Sequence, residues 1–141
     1  MSHISPLKTS MRYRVPYADT DQMGVVYYAN YLVYFERLRN EMLREQYVPY
    51  KEIEGRGLML PVTEAMCFYH RPAHYDDLLV LTGWFEMQSP IRVRALCEVH
   101  RDGVLLASGH TVHVCMDIHK KKPTRFPGDF PGFNLKAASP C

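Results

Sequence analysis

The chain has 141 residues, a length suited to one hydrophobic core, and 47% of them are hydrophobic against 23% charged, the balance of a folded globular protein. A formal net charge of +2 is too near neutral for a nucleic-acid or membrane-surface partner, and neither is expected. No apolar run approaches the roughly 18 residues of a membrane span, and no apolar N-terminal segment resembles a signal peptide, so the expectation is a cytoplasmic protein without membrane insertion.

In chain order, residues 1–8 lack periodicity and read as a loose arm. Residues 9–17 read as a strand, with Met11, Tyr13 and Val15 alternating with Arg12 and Arg14, and Pro16 ends it or puts it at an edge. A polar turn containing Asp19, Asp21 and Gly24 follows. A helix is predicted from Tyr27 or Tyr28 to about Gln46, on the spacing of Tyr28, Leu32, Phe35, Leu38 or Arg39, and Met42. Its first half is apolar almost all round, so a sheet is expected to wrap it, and Pro49 stops it. Residues 47–57 form a loop or short helix.

From Leu58 the period becomes two. Strands are predicted at 58–69, 78–87, 91–101 and 104–117, separated by Pro72 with Asp76-Asp77, by Ser89-Pro90 and by Asp102-Gly103. The last pair is a tight-hairpin signal, and Gly109 is expected to mark a bulge. From Lys120 the chain is basic and proline-rich, ending in a loose tail. Cys67, Cys97, Cys115 and Cys141 are widely spaced with no Cys-x-x-Cys pair, which points to reduced thiols. One strand, one long helix and four strands give an α+β domain spanning 1–141, with a core over about 9–127: a five-stranded antiparallel sheet wrapped around one helix. Such a sheet leaves an edge open to a second copy.

The turn carries the chemistry. A helix N-terminus offers N–H groups without intrahelical partners and a partial positive charge. A carbonyl bound there is polarised, and a nearby carboxylate can serve as base or nucleophile. Asp19 and Asp21 supply two carboxylates; their bland reading is a pair of turn aspartates. An EF-hand reading of Asp19-Thr20-Asp21-Gln22-Met23-Gly24 fails at Met23 and at Asn30, where oxygen ligands are wanted. Cys67, His70 and His74 do not make a zinc site, because Cys67 and His70 face opposite sides of a strand. His110 and His113 likewise face apart. His100, His113 and His119 read as partly exposed residues. No metal is expected.

Asp19-Thr20-Asp21, Gly24-Val25-Val26-Tyr27-Tyr28 and Asn30-Tyr31 resemble the motif of the 4-hydroxybenzoyl-CoA thioesterase-like family, hotdog-fold acyl-CoA thioesterases that include the Tol-Pal-associated bacterial branch. Weaker likeness continues through Arg71-Pro72-Ala73-His74-Tyr75-Asp76-Asp77 and Lys122-Pro123-Thr124-Arg125-Phe126-Pro127. The resemblance implies an acyl-CoA substrate, no cofactor, and a homodimer or homotetramer. It implies that Asp21 is the catalytic carboxylate and that the N–H of Tyr28, where many members carry His, polarises the thioester carbonyl. Asp19 is expected to fix the turn by accepting backbone N–H bonds. Gly24 is expected to allow a positive φ or a close approach, and Val25 to border the substrate. Asn30 positions Asp21 or caps the helix turn. Candidates for the CoA phosphates are Arg71, and Arg92 and Arg94 after the Ser89-Pro90 turn. Two other classes compete. A hotdog hydratase or dehydratase would want an Asp–His pair early in the helix, and the first histidine after Asp21 is His70. A non-catalytic acyl-CoA-binding or scaffold protein would not need Asp21.

Overall fold

A computed structural model describes residues 7–131; the expected arm and tail, with Cys141, fall largely or wholly outside them. Strand β1 (Thr9–Arg14) leads through a short 3-10 turn (Tyr17–Asp19) to helix α1 (Asn30–Gln46) and the brief helix α2 (Tyr50–Gly55). Strands β2 (Leu58–Met59), β3 (Val62–Tyr69), β4 (Leu78–Ser89), β5 (Arg92–Arg101), β6 (Val104–Val114), β7 (Met116–Asp117) and β8 (Lys122–Pro123) follow. The main sheet is antiparallel in the order β1-β4-β5-β6-β3, so β1 and β3 are its edges.

A second, three-stranded sheet, β2-β7-β8, was not expected. The runs 58–69 and 104–117 are each cut in two, at Leu60-Pro61 and at Cys115, and their outer pieces pair with each other and with β8. Asp102 and Gly103 both take positive φ (50° and 78°), as a two-residue hairpin turn demands.

One sheet face packs on α1. Leu79, Leu81, Phe85, Val93, Ala95, Val99 and Leu106 are buried from the sheet side, and Tyr31, Tyr34, Phe35, Leu38, Met42 and Leu43 from the helix. The buried helix face keeps Phe35, Leu38 and Met42 of the predicted one and differs at its start. Tyr28 and Leu32 are exposed, with Leu32 40% and Val33 45% accessible. The sheet covers only one side of the apolar first half.

Gly83 and Gly109 explain how the helix seats so low. A Cβ at Gly83 would come 2.7 Å from Met42 Sδ and 2.9 Å from Leu38 Cδ2. One at Gly109 would come 2.9 Å from Phe35 Cε2 and run into the Met66 carbonyl. Gly109 is thus a point of close approach, not a bulge: it is regularly paired with Cys97 and Cys67. The register shifts lie elsewhere, between Val62 and Glu64, between Met87 and Ser89, and between Val99 and His100.

His113, expected to be partly exposed, is only 2% accessible. Its Nδ1 lies 2.9 Å from the Leu60 carbonyl, so Nδ1 carries the proton. Its Nε2 then accepts from Thr111 Oγ1 (2.8 Å), which itself accepts from Arg39 Nη1 (3.2 Å). This donor order needs a neutral ring. Burial, then the Arg39 charge, pushes the imidazole down from 6.5 to about 4. Between those values the unfolded chain takes up a proton that the folded chain refuses. The stability held by the neutral ring is therefore full above about pH 6.5 and is lost as pH falls toward 4. Urea midpoints should fall across that window, and His113→Asn should flatten the fall.

Candidate active site

The loop between β1 and α1 is organised by Asp19. Its Oδ2 accepts two hydroxyls at 2.7 Å each, from Tyr13 on β1 and Tyr34 on α1. Its carbonyl accepts the Tyr27 N–H and the Asn30 Nδ2, both at 2.9 Å. One residue thus ties strand, helix and loop. The expected role stands but its chemistry differs: the carboxylate takes phenols, and the backbone oxygen takes the N–H. Burial, then the Asp19 carboxylate, pushes the Tyr13 phenol up to about 12, and Tyr34 moves the same way. Both tyrosines stay protonated donors. Asn30 serves the loop through Asp19 and makes no bond to Asp21.

Asp21 sits in a tighter turn. Its N–H donates to the Val25 carbonyl, the Gly24 N–H donates back to the Asp21 carbonyl, both at 2.9 Å, and Oδ1 accepts the Met23 N–H at 2.8 Å. Gly24 closes the turn at φ +81° with open space around it, so it supplies positive φ and not a close approach. Oδ2 of Asp21 has no hydrogen-bond partner among the described residues.

The regular helix begins at Asn30, later than predicted. The reason is a tightened first turn: Asn30, Tyr31 and Leu32 donate to Tyr27, Tyr28 and Ala29 across three residues. Among the described residues the N–H groups of Tyr28 and Ala29 donate to nothing, and they stand at the opening of the helix. The Tyr27 phenol is raised by hydrogen bonding to Tyr28 and, more weakly, by the Asp21 charge.

An open cleft of about 350 Å³ joins these groups. Asp21, Val25 and Val26 form one wall, Tyr28 and Tyr31 the helix side, and residues 69–72 the far wall. The Tyr69 hydroxyl donates to the Tyr28 carbonyl at 2.9 Å. Arg71 lines this cleft. Arg92 and Arg94 are not brought to it: they project from the sheet face opposite α1, where Arg94 pairs with Glu86 at 2.7 Å. His70 turns its ring to Ser108 (3.0 Å) on that same opposite face, so it forms no pair with Asp21.

Residues 70–77 are fixed from behind. Arg101 Nη1 reaches Asp77 Oδ2 at 2.7 Å, Asp77 Oδ2 accepts the His74 N–H at 2.8 Å, and the Val26 N–H donates to the Ala73 carbonyl at 2.8 Å. Burial alone would raise the Asp77 carboxyl, but the His74 N–H and Arg101 outweigh it and hold it below the usual range. Asp77 belongs to a quoted motif; nothing in the sequence pointed to Arg101.

A sheet curled on one long helix is the hotdog arrangement, and here a carboxylate turn stands at the helix opening. The chain belongs to the thioesterase-like superfamily, whose family model matches residues 15–133. It is 34% identical over 115 residues to the acyl-CoA thioester hydrolase YbgC of Escherichia coli, covering 81% of this chain and 86% of that one. It is 28% identical over 136 residues to the 1,4-dihydroxy-2-naphthoyl-CoA hydrolase of Thermosynechococcus vestitus, covering 95% and 92%. The crystal structure of a 1,4-dihydroxy-2-naphthoyl-CoA thioesterase from Synechocystis superposes with a TM-score of 0.82 at 25% identity, over 94% of this chain and 99% of that one.

The Asp19 clasp is testable apart from chemistry. Asp19→Ala removes a charged acceptor shared by two part-buried phenols, and hydrogen bonds to charged groups contribute about 1.5–3 kcal/mol each. A stability loss of about 2–4 kcal/mol is expected in urea unfolding.

Proposed function

We propose that the chain hydrolyses acyl-CoA thioesters, with Asp21 as the catalytic carboxylate and the helix opening as the oxyanion site. The observation that carries this reading is the juxtaposition, in one cleft, of an Asp21 oxygen without a protein partner and unpaired N–H groups at Tyr28 and Ala29. A thioester carbonyl seated against those N–H groups is polarised, and they stabilise the negative charge that develops on its oxygen. Asp21 then acts in one of two ways. It attacks the carbonyl carbon, the C–S bond breaks to release CoA thiolate, and water opens the mixed anhydride. Otherwise it takes a proton from water, which attacks directly. Either route converts acyl-CoA and water to the free acid and CoA, and neither calls on a cofactor. Tyr28 contributes through its backbone, so its side chain can vary and leave that role intact. Arg71, in the cleft wall, is the cation placed to meet the CoA arm.

Asp21→Asn keeps the turn, because Asn retains an acceptor for the Met23 N–H. It should lower kcat by roughly 10²–10⁴-fold, the range of a lost base or nucleophile. A folded variant with near wild-type turnover on its best acyl-CoA refutes the assignment.

The active form is a homodimer or a homotetramer built from it. Strand β3 is an edge of eight residues whose one charge is Glu64, and Val62, Met66, Phe68 and Tyr69 are all exposed. The other edge, β1, carries Arg12 and Arg14, the kind of charge that discourages pairing. A second copy pairing along β3 would wall the cleft at Tyr69 and cover Leu32 and Val33. Light scattering at micromolar concentration should give at least twice the chain mass; a monomer would contradict the reading. Cytoplasmic residence is part of the same proposal, supported by the free thiols Cys67, Cys97 and Cys115. No helix among the described residues is long and apolar enough to cross a membrane.

A further inference from the structure

Arg39 has no part in the chemistry above, yet its setting is unusual. It is half-buried, and its guanidinium makes one hydrogen bond, to Thr111 Oγ1. No carboxylate lies within ion-pair distance of it among the described residues. A guanidinium has five N–H donors, and a half-buried cation ordinarily finds an anion. Arg39 instead lines a second cavity, of about 320 Å³, whose wall also carries Asn40, Arg44, Tyr50 and Lys51, with Glu36 as its one carboxylate. Arg44 is already paired, with Glu41. Arg39 itself is held in place from below by the Thr111–His113–Leu60 chain.

Of the cavity residues on α1, Arg39 is the one turned nearest to Tyr31, which lines the Asp21 cleft. Tyr28 lines the cleft and Arg39 lines the cavity. Eight residues at 100° each set Arg39 about 80° round α1 from Tyr31 and about 12 Å along the axis. Leu32, seven residues before Arg39 and so within about 20° of its direction, is exposed, whereas Phe35 is buried against Gly109. Side chains lean toward the helix N-terminus, which brings the Arg39 head nearer the cleft. A thioester has two arms, the acyl chain and the CoA arm. With its carbonyl at the helix opening, one of them can run over Leu32 toward Arg39.

We infer that the Arg39 cavity is an anion subsite of the same enzyme, holding the charged end of whichever substrate arm runs along α1. The inference rests on the thioesterase reading. The anion is either a carboxylate at the end of the acyl chain or a phosphate of CoA; the guanidinium fork suits both.

The test compares suberyl-CoA with octanoyl-CoA, equal in length but differing by the terminal carboxylate, and the N-acetylcysteamine thioesters of both acids, which lack the nucleotide. Arg39→Gln should raise KM roughly tenfold on the substrates that carry the anion, with kcat little changed. A rise confined to the two suberyl thioesters assigns the acyl arm. A rise confined to the two CoA thioesters assigns the CoA arm. Unchanged KM on all four, in a folded variant, overturns the inference while leaving Asp21 untouched. Asn40→Asp, at an exposed position on the cavity wall, sets a negative charge there and should act in the same direction if Arg39→Gln does not fold; unchanged KM there overturns the inference equally. Calorimetric titration of suberate and of CoA into wild type and Arg39→Gln reads the subsite without turnover. At least one should bind more weakly to the variant, and equal binding of both overturns the inference even if no thioester is hydrolysed.

Discussion

The structure depends on how closely one helix lies on one sheet. Gly83 on β4 and Gly109 on β6 present bare backbone to Leu38, Met42 and Phe35. Any side chain at Gly109 would meet the β3 backbone as well as the helix. Interiors are packed to crystal-like density and do not absorb such an insertion. With the helix that low, two rows of apolar residues interlock along its length, and the helix axis is fixed relative to the strands. Everything at its N-terminal end inherits that placement.

What it places is a loop with two aspartates in different jobs. Asp19 accepts phenols from β1 and α1 and so ends up committed to structure. Asp21, two residues on, is held only by its own turn and keeps one oxygen toward the cleft. Paired carboxylates in one motif thus separate by partner and not by residue type. The supporting shell is equally specific: Arg101 and Asp77 hold residues 70–77 against Val25 and Val26, so the far wall of the cleft is fixed through the sheet.

The other side of α1 has no such cover. The first half of the helix is apolar on more sides than a single sheet can bury, and β3 beside it is an edge with little charge. An uncovered stripe and an open edge in the same place are one feature seen twice. The Asp21 cleft stands at the opening of the same helix, and the half-buried charge of Arg39 lies farther along it.

The sequence by itself determined the order of the main elements, the antiparallel sheet around one helix, the Asp102-Gly103 hairpin and the carboxylate turn. These are set by local chemistry: period two against period 3.6, and residues with special backbone freedom. Tertiary structure decided the rest. Which stripe of α1 is buried depends on where the sheet lies, and Tyr34 displaced Tyr28 because an apolar run gives no preference between faces. Gly109 read as a bulge because a missing side chain looks the same whether the backbone bends or another element approaches. Arg92 and Arg94 were separated from Asp21 by strand parity, and Arg71 kept beside it by the turn after β3. His113 looked like any strand histidine until Leu60, distant in sequence, and Arg39, reaching Thr111 from α1, closed around it. Contacts of that kind are fixed only when the chain is folded, because their partners lie on different elements.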